Sequence, residues 1–441
     1  MKPKKPPIQD RQGHLYRPEL VQICDPTHPL VKLTETVDWD RLDDLFGETF
    51  CTEIGRPGIS TRLMVSLHYL KFAHDLSDDD VVAGWVENPY WQYLSGMKWF
   101  EHELPIHPTS MTKWRNRIGE AGAEELLKET IEAGLRLKAV KPYQLKRINI
   151  DTTVQEKDIR FPTDARLYDR ARQRLVIAAK ERGIPIRQNY NRLSKKLLLK
   201  QSRHAHAKQM KRARRCTSKL RTYMGRVIRD IDRNCPTPDH ELKSLLEVGT
   251  HLYYQKRNGK NKVYSVHEPH VECISKGKAH KRYEFGCKVS VAATSRGGWF
   301  VGAKAIHGNP YDGHTLSETI QQVKRVAKRP EHVFVDRGYR GHDYTGSIAV
   351  HVDKQRRGRT AQSLWRWMKR RAAIEPGIGH LKQEHRMDRN RLKGPEGDRI
   401  NAILSAAGMN FSKLLRCAAD FLRRLFQDLD FSPVAPISLT V

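Results

Sequence analysis

The sequence predicts an α/β protein in which helices cover both faces of a mixed sheet, with a basic helical insert interrupting that core and an all-helical segment ahead of it. Three observations carry this expectation. Two short apolar or β-branched runs, residues 148–154 and 333–335, each meet an aspartate, Asp151 and Asp336. The apolar residues before, between and after them recur at helical rather than alternating spacing. Finally, residues 187–229 hold fifteen Lys or Arg without a single Asp or Glu.

The first helical stretch is expected from about residue 30 to 137, with Leu63, Val65, Leu67, Leu70 and Phe72 at core-facing positions. Inside it, Ser77-Asp78-Asp79-Asp80 offers an N-cap and an acidic first turn for a helix through Val81 and Trp85 that Asn88-Pro89 should end. A second helix is expected from Pro108-Thr109-Ser110 through Met111, Trp114 and Ile118, with Lys113, Arg115 and Arg117 along it. Two short helices with the later one basic fit a helix-turn-helix as well as plain helical packing. Trp85, Trp91, Trp99 and Trp114 read as core anchors.

Alternation starts at Leu145-Lys146-Arg147-Ile148-Asn149-Ile150-Asp151, so a strand is expected to carry Asp151 near its end. Helical spacing then returns between Ala165 and Asp232. Apolar residues interleaved with its cations (Leu193, Leu197, Leu220, Met224, Val227) favour an amphipathic insert lying along a phosphate backbone over a solvated tract. Residues 285–291 and 299–303 flank Thr294-Ser295-Arg296-Gly297-Gly298 and should form a hairpin. A helix over 315–326, strands at 331–336 and 348–352, a basic helix from about 361 to 371, another from Pro376 onward and a long amphipathic helix over 399–426 complete the pattern. The expected units are 1–140 (helical, DNA-binding), 141–160 and 263–398 (the two parts of a catalytic core), 161–262 (the insert), 399–430 (closing helix) and 431–441 (tail).

Eighty Lys and Arg stand against fifty Asp and Glu, a formal charge of +30 that predicts a polyanionic partner. No segment approaches the roughly 18 continuous apolar residues of a spanning helix, so nucleic acid is favoured over membrane. The basic start, Met1-Lys2-Pro3-Lys4-Lys5, has no apolar stretch behind it, and a cytoplasmic, nucleoid-associated protein is expected. The seven cysteines include no Cys-x-x-Cys pair, which argues for reduced thiols rather than disulfides or a zinc knuckle. His204 and His206 lack a ligand partner at metal spacing. The glycines after Asp336 are not followed by Gly-Lys-Ser/Thr, so ATP is not expected.

Carboxylates at adjacent strand ends can share metal ions. Phosphodiester cleavage with two Mg²⁺ ions, for which Mn²⁺ is expected to substitute, needs such a cluster and hard oxygen ligands. A third carboxylate is then required, and Glu375 is the candidate: Arg371, Glu375 and Lys382 are spaced by four and seven residues, which puts all three on one helical face. Pro376 and Gly377 require that helix to kink or restart. Arg371 with Glu375 also fits an ordinary surface ion pair. Asp158, Asp164 and Asp353 are rival carboxylates that end no apolar strand as cleanly as Asp336 does, while Asp312 and His314 read as a turn and helix cap.

Ile150-Asp151-Thr152-Thr153-Val154, Val335-Asp336-Arg337-Gly338-Tyr339-Arg340-Gly341 and Arg371-x-x-x-Glu375-x-x-x-x-x-x-Lys382 together resemble the DDE transposases of bacterial insertion sequences, most nearly the insertion-sequence-five class. Further similar stretches are His204-Ala205-His206-Ala207-Lys208-Gln209, Lys276-Gly277-Lys278-Ala279-His280 and Gly308-Asn309-Pro310-Tyr311-Asp312-Gly313-His314. The resemblance implies an RNase-H-like core, Mg²⁺-dependent strand cleavage and transfer, recognition of terminal inverted repeats, and a homodimer or larger assembly on DNA. It makes Asp151, Asp336 and Glu375 the metal ligands and catalytic residues, and Arg371 and Lys382 DNA contacts, beside Lys211, Arg212, Arg214 and Arg215 of the insert. One position departs from that signature: Met368, with Trp367 beside it, stands where a tyrosine is expected. A nuclease of the same fold that does not join DNA, and an inactive transposase-derived DNA-binding protein, are the alternatives.

Overall fold

The computed structural model describes residues 18–49, 58–275, 281–353 and 362–428, with side chains to 419. The basic N-terminus, Cys51, the Lys276–His280 stretch, the expected helix start at Ala361 and the tail lie outside the described residues. Seven helices come first: α1 to α7 span Leu20–Ile23, Pro29–Thr36, Trp39–Gly47, Thr61–Ala73, Asp78–Glu87, Pro89–Leu94 and Thr109–Arg136. Strand β1 (Arg147–Lys157) then leads into four more helices, α8 to α11, at Asp164–Glu181, Asn191–His206, Met210–Asn234 and His240–Tyr254. The chain returns through β2 (Glu272–Ile274), β3 (Glu284–Thr294), β4 (Phe300–Ile306), α12 (Leu316–Ala327), β5 (His332–Val335) and β6 (Ala349–Val352). It closes with α13 (Gln362–Arg370), α14 (Ile374–Glu384), β7 (Arg389–Asn390) and α15 (Gly394–Asp428).

Among the described residues, all seven strands form one mixed sheet in the order β2-β3-β1-β5-β6, with β4 on β3 and β7 on β1. β1 and β3 run antiparallel from Ile148 opposite Thr294 to Glu156 opposite Gly286, whereas β1, β5 and β6 are mutually parallel. The expected β3–β4 hairpin is present across residues 295–299. This mixed sheet with helices is the architecture expected of an RNase-H-like core.

Burial explains why the first seven helices do not stand apart. Leu67, Leu70 and Phe72 of α4, Leu126 and Ile131 of α7, Val289 and Val291 of β3, and Ile403, Leu404 and Phe411 of α15 belong to one continuous apolar core. α4 and α15 cross so closely that a Cβ on Gly408 would lie 2.4 Å from the Phe72 Cβ, so any larger residue there would force the helices apart. The insert has a separate core of its own, built from Leu175, Leu220, Met224, Val227, Ile231, Leu242 and Leu252.

The two helices considered for a helix-turn-helix both form, and Ser77 caps α5 as expected, its Oγ accepting the Asp80 N–H at 3.0 Å. They are not joined by a tight turn, because α6 and residues 95–108 intervene. Arg115 is also no DNA-facing cation: it is 2 % exposed and makes two bonds to Asp78, at 2.8 and 2.6 Å, with Lys71 on the same carboxylate at 2.6 Å. Lys113 and Arg117 are exposed. Trp85 and Trp114 are buried as anchors, and Trp91 and Trp99 are half-buried.

Candidate active site

Asp151 is the fifth residue of β1, and the strand runs on to Lys157, so the expectation that it stands near a strand end needs correction. The reason is β3, whose long antiparallel arm keeps β1 extended. On the other side the parallel ladder to β5 stops at Asn149 opposite Phe334. Asp151 therefore emerges where the sheet opens, although its own strand continues. Asp336 does follow its strand directly: β5 ends at Val335, and the Asp336 Oδ1 accepts the Gly338 N–H at 2.9 Å to cap a short 3-10 turn, Arg337–Tyr339. Both aspartates thus lie at the carboxyl side of the same parallel pair.

Glu375 arrives on α14, and the path to it resolves the proline problem. α13 stops at Arg370, a 3-10 turn takes residues Arg371–Ala373, and α14 begins afresh at Ile374. Pro376 then falls in the first turn of α14, where its missing N–H would have had no intrahelical acceptor. Arg371 consequently sits before the helix rather than on it. Its guanidinium lies 3.8 Å from Asp151 Oδ2 and 3.8 Å from Glu375 Oε1, so one cation bridges the first and third carboxylates. Glu375 is 61 % exposed, open to a large ligand.

What holds Arg371 there is Asn149, two residues ahead of Asp151 and 1 % exposed. Its Nδ2 donates to the Arg370 carbonyl at 3.1 Å and its Oδ1 accepts from the Ser295 hydroxyl at 2.6 Å, pinning the 3-10 turn against β1. Trp367 stands beside this turn with the guanidiniums of Arg147, Arg296 and Arg370 at 4.7, 5.1 and 5.9 Å from its ring. Lys382 is only 15 % exposed, and its Nζ lies 3.8 Å from Glu284 of β3.

Asp312, expected as a turn and helix cap, has a charged neighbour. Asp312 accepts an ion pair from the buried Lys288 of β3 at 2.8 Å, and a Cβ on Gly338 would meet Asp336 Oδ1 at 3.0 Å and Asp312 Oδ2 at 3.4 Å. Asp312 and Asp336 thus flank one glycine. Behind them the Tyr339 hydroxyl is buried beside the Ser290 hydroxyl. Burial first, then the charges of Asp151, Asp312 and Asp336, push its pKa well above the usual tyrosine value, so it stays a neutral phenol. The signal for Asp312 in the sequence was its place beside Gly308-Asn309-Pro310; the signal for Lys288 and Asn149 was nothing more than polar residues inside apolar strands.

Of the rivals, Asp158 pairs with Arg389 at 2.7 Å beyond the end of β1, away from this opening. Among the described residues, the group that gathers three His or carboxylate ligand atoms within 4.8 Å is His270, His307 and Asp398, not the expected triad. Unscreened like charges separate, and Arg371 occupies the space between Asp151 and Glu375. That space accepts a cation, and the donors around it are carboxylate oxygens, a set that suits Mg²⁺ or Mn²⁺.

In the insert, Lys211, Arg212, Arg214 and Arg215 are exposed on α10, and Arg212 donates to Gln209 Oε1 at 3.1 Å. Its opposite face supplies Leu220, Met224 and Val227 to the insert core, so burial on one side leaves the cations on the other. His204 contacts Gln209 at 3.1 Å. No helix among the described residues is long and apolar enough to cross a membrane. The described cysteines are free thiols.

Comparison with known proteins gives two family matches. Residues 18–117 match the family described as Transposase domain (DUF772), and residues 257–411 match the Transposase DDE domain. The second match contains Asp336 and Glu375 and starts after Asp151, near the end of the insert. A Rhizobium meliloti protein described as uncharacterized protein ORF8 in the nfe locus is 49% identical over 209 residues, covering 47% of this chain and 100% of that relative. No solved structure matches.

Proposed function

The chain belongs to the DDE transposases, and from that premise we propose that it binds the terminal inverted repeats of an insertion sequence, cuts the DNA there and joins the freed ends to a target. The observation that carries this reading is the Asp151–Arg371–Glu375 bridge at the opening of the sheet, with Asp336 at the end of the neighbouring strand. Asp151, Asp336 and Glu375 would hold divalent cations, Mg²⁺ or Mn²⁺, in place of part of the Arg371 charge. Bound there, a pair of ions supplies activation of the attacking oxygen and stabilisation of the leaving one.

The chain's own groups do the rest. Arg371, released from one carboxylate, is placed to hold a phosphate oxygen, and Lys382 adds positive charge farther along α14. Tyr339 packs behind the site as a neutral phenol, and Lys288 neutralises Asp312. The exposed cations of α10 track the backbone without reading bases, while residues 1–140 bind the element ends. In the first step the water oxygen forms a bond to phosphorus as the 3′-oxygen leaves; in the second that 3′-hydroxyl attacks a target phosphodiester and displaces its 3′-oxygen.

The test is isosteric removal of charge. Asp151→Asn, Asp336→Asn and Glu375→Gln should each abolish cleavage of labelled element ends, and chelator should do the same, with end binding retained. A near wild-type rate for Glu375→Gln in Mg²⁺ would sink the third ligand. Strand-transfer products separate a transposase from a nuclease that only hydrolyses. Two ends must be held together for joining, so mass measured on the DNA complex should show at least two chains; one chain per pair of ends would refute the dimer.

A further inference from the structure

At the other end of β1, far from the aspartates, two histidines and two carboxylates converge from three separate elements. Glu268 and His270 lie in the segment that brings the chain back from the insert to β2, His307 follows β4 directly, and Asp398 is the fifth residue of α15. Asp398 is 3 % exposed and Glu268 8 %, while the histidines are about a fifth exposed. His307 Nε2 lies 3.1 Å and His270 Nε2 3.4 Å from the same oxygen, Asp398 Oδ2, and His270 Nε2 is 3.2 Å from Glu268 Oε2. The two imidazole rings stand at 72° to each other.

The spacing is the first argument. A metal ion with ligands at about 2.0–2.1 Å in tetrahedral geometry has ligand–ligand edges of about 3.3 Å, and the three separations above scatter closely around that figure. The second argument is poor satisfaction: the buried His270 Nε2 lies 3.2 Å from Glu268 Oε2 and 3.4 Å from Asp398 Oδ2 without a well-aligned hydrogen bond to either. Charge supplies the third. Asp398 and Glu268 bring two negative charges, and Lys157, bonded to Asp398 at 2.7 Å and 3.3 Å from Glu268, brings one positive charge. The net negative charge that remains favours a cation at this spot.

The surroundings also divide the labour of Asp398 as a metal ligand requires. Its Oδ1 accepts from Lys157 and from Asn390 Nδ2 at 2.6 Å, which fixes the carboxylate and leaves Oδ2 turned to the histidines. Glu268 is held by the Gly394 N–H at 3.1 Å.

We propose that His270, His307 and Asp398, with Glu268 or a water as fourth donor, form a structural site for a borderline divalent ion of the zinc class, separate from the carboxylates of the catalytic opening. Imidazole nitrogen with carboxylate oxygen in a tetrahedral set suits Zn²⁺ and Co²⁺ better than Mg²⁺, which demands octahedral oxygen. The site fastens the exit of the insert to the hairpin and to α15.

The experiment uses the full, tag-free chain carrying Asp151→Asn and Asp336→Asn, so that metal at the catalytic opening does not contribute. After dialysis against chelator it is titrated with Zn²⁺ by calorimetry, and in parallel with Co²⁺ by visible absorption. One ion per chain is expected, with the intense ligand-field bands of tetrahedral Co²⁺ and a rise in melting temperature on Zn²⁺ addition. His270→Gln with His307→Gln should lose the bands and the shift and weaken Zn²⁺ at least 100-fold, while circular dichroism confirms the fold. Absence of stoichiometric Zn²⁺ binding would overturn the proposal, as would unchanged binding in the folded double variant. Failure here leaves the catalytic reading untouched, since these ligands lie outside it.

Discussion

Asn149 touches no substrate in the proposed reaction, yet its removal should cripple cleavage. Asn149→Ala deletes the partly buried bond to the Arg370 carbonyl and the buried bond from the Ser295 hydroxyl. Each lost bond costs about 1 kcal/mol, and the carbonyl and hydroxyl left without partners raise the sum to about 2–4 kcal/mol. The mechanical effect is larger than the energetic one. The 3-10 turn that carries Arg371 and launches α14 loses its tether to β1, so Arg371 and Glu375 drift relative to Asp151, and a displacement of about 1 Å at reacting groups costs roughly 100-fold in rate. The assay is cleavage of a labelled element end in Mg²⁺, alongside a urea melt and a binding titration. The expected pattern is a rate lowered about 100-fold, a lower unfolding midpoint and unchanged end affinity. Asp158→Asn, at the far end of the strand, should leave the rate intact. If Asn149→Ala cleaves at the wild-type rate, the turn is not positioned by β1 and the account of how Glu375 reaches the site fails.

Replacing Lys211, Arg212, Arg214 and Arg215 together should flatten the plot of log affinity against log salt by up to about 3.6, four phosphates at about 0.9 each, and an unchanged slope would remove α10 from the DNA path. In the N-terminal helices, Asp78→Asn should destabilise the chain by about 3–5 kcal/mol at about pH 7, because it leaves Arg115 and Lys71 buried without their partner. Burial opposes ionisation of Asp78, but Arg115 and Lys71 overcome it and hold the carboxyl below its ordinary range. A depressed folded pKa means the contribution is complete above the unfolded value near 4 and is lost as pH falls below it. The gap between the urea midpoints of wild type and variant should therefore narrow steadily as pH falls from about 4 to about 2, and a gap that stays constant across that range would contradict the ion-pair explanation. Lys71 itself is lowered to about 8, chiefly by burial, so its own cost to stability should ease as pH rises from about 8 toward 10.5.

Much of this architecture was written in periodicity. The β3–β4 hairpin, β5, β6, α12 and the long closing helix fall within a few residues of where alternation, turn glycines and apolar spacing put them, because each is local in cause. The positions that escaped depend on partners far along the chain. β1 extends past Asp151 only because β3, some 130 residues later, pairs with it, and β2 and β7 are short edges whose pairing no local pattern announces. Arg115 looked like a DNA-reading cation because a sequence shows charge and not the buried Asp78 that claims it. Asp336 and Glu375 were legible from neighbouring residues, while the bridge of Arg371 between Glu375 and Asp151 needed the 3-10 turn that Asn149 holds.

The insert separates β1 from its antiparallel partner, and this has a consequence for how the chain folds. Ile148 must find Thr294 across a loop of about 145 residues, and closing a flexible loop of that size costs entropy that grows as the logarithm of its length. Helices with local contacts form faster than such long-range pairings. Because the insert owns a complete core within residues 165–266, it can fold first and bring its two ends toward each other, so that the sheet's central pair is closed over a structured spacer instead of a random coil. A substitution in that core, such as Met224→Ala, would then slow assembly of a sheet it never touches.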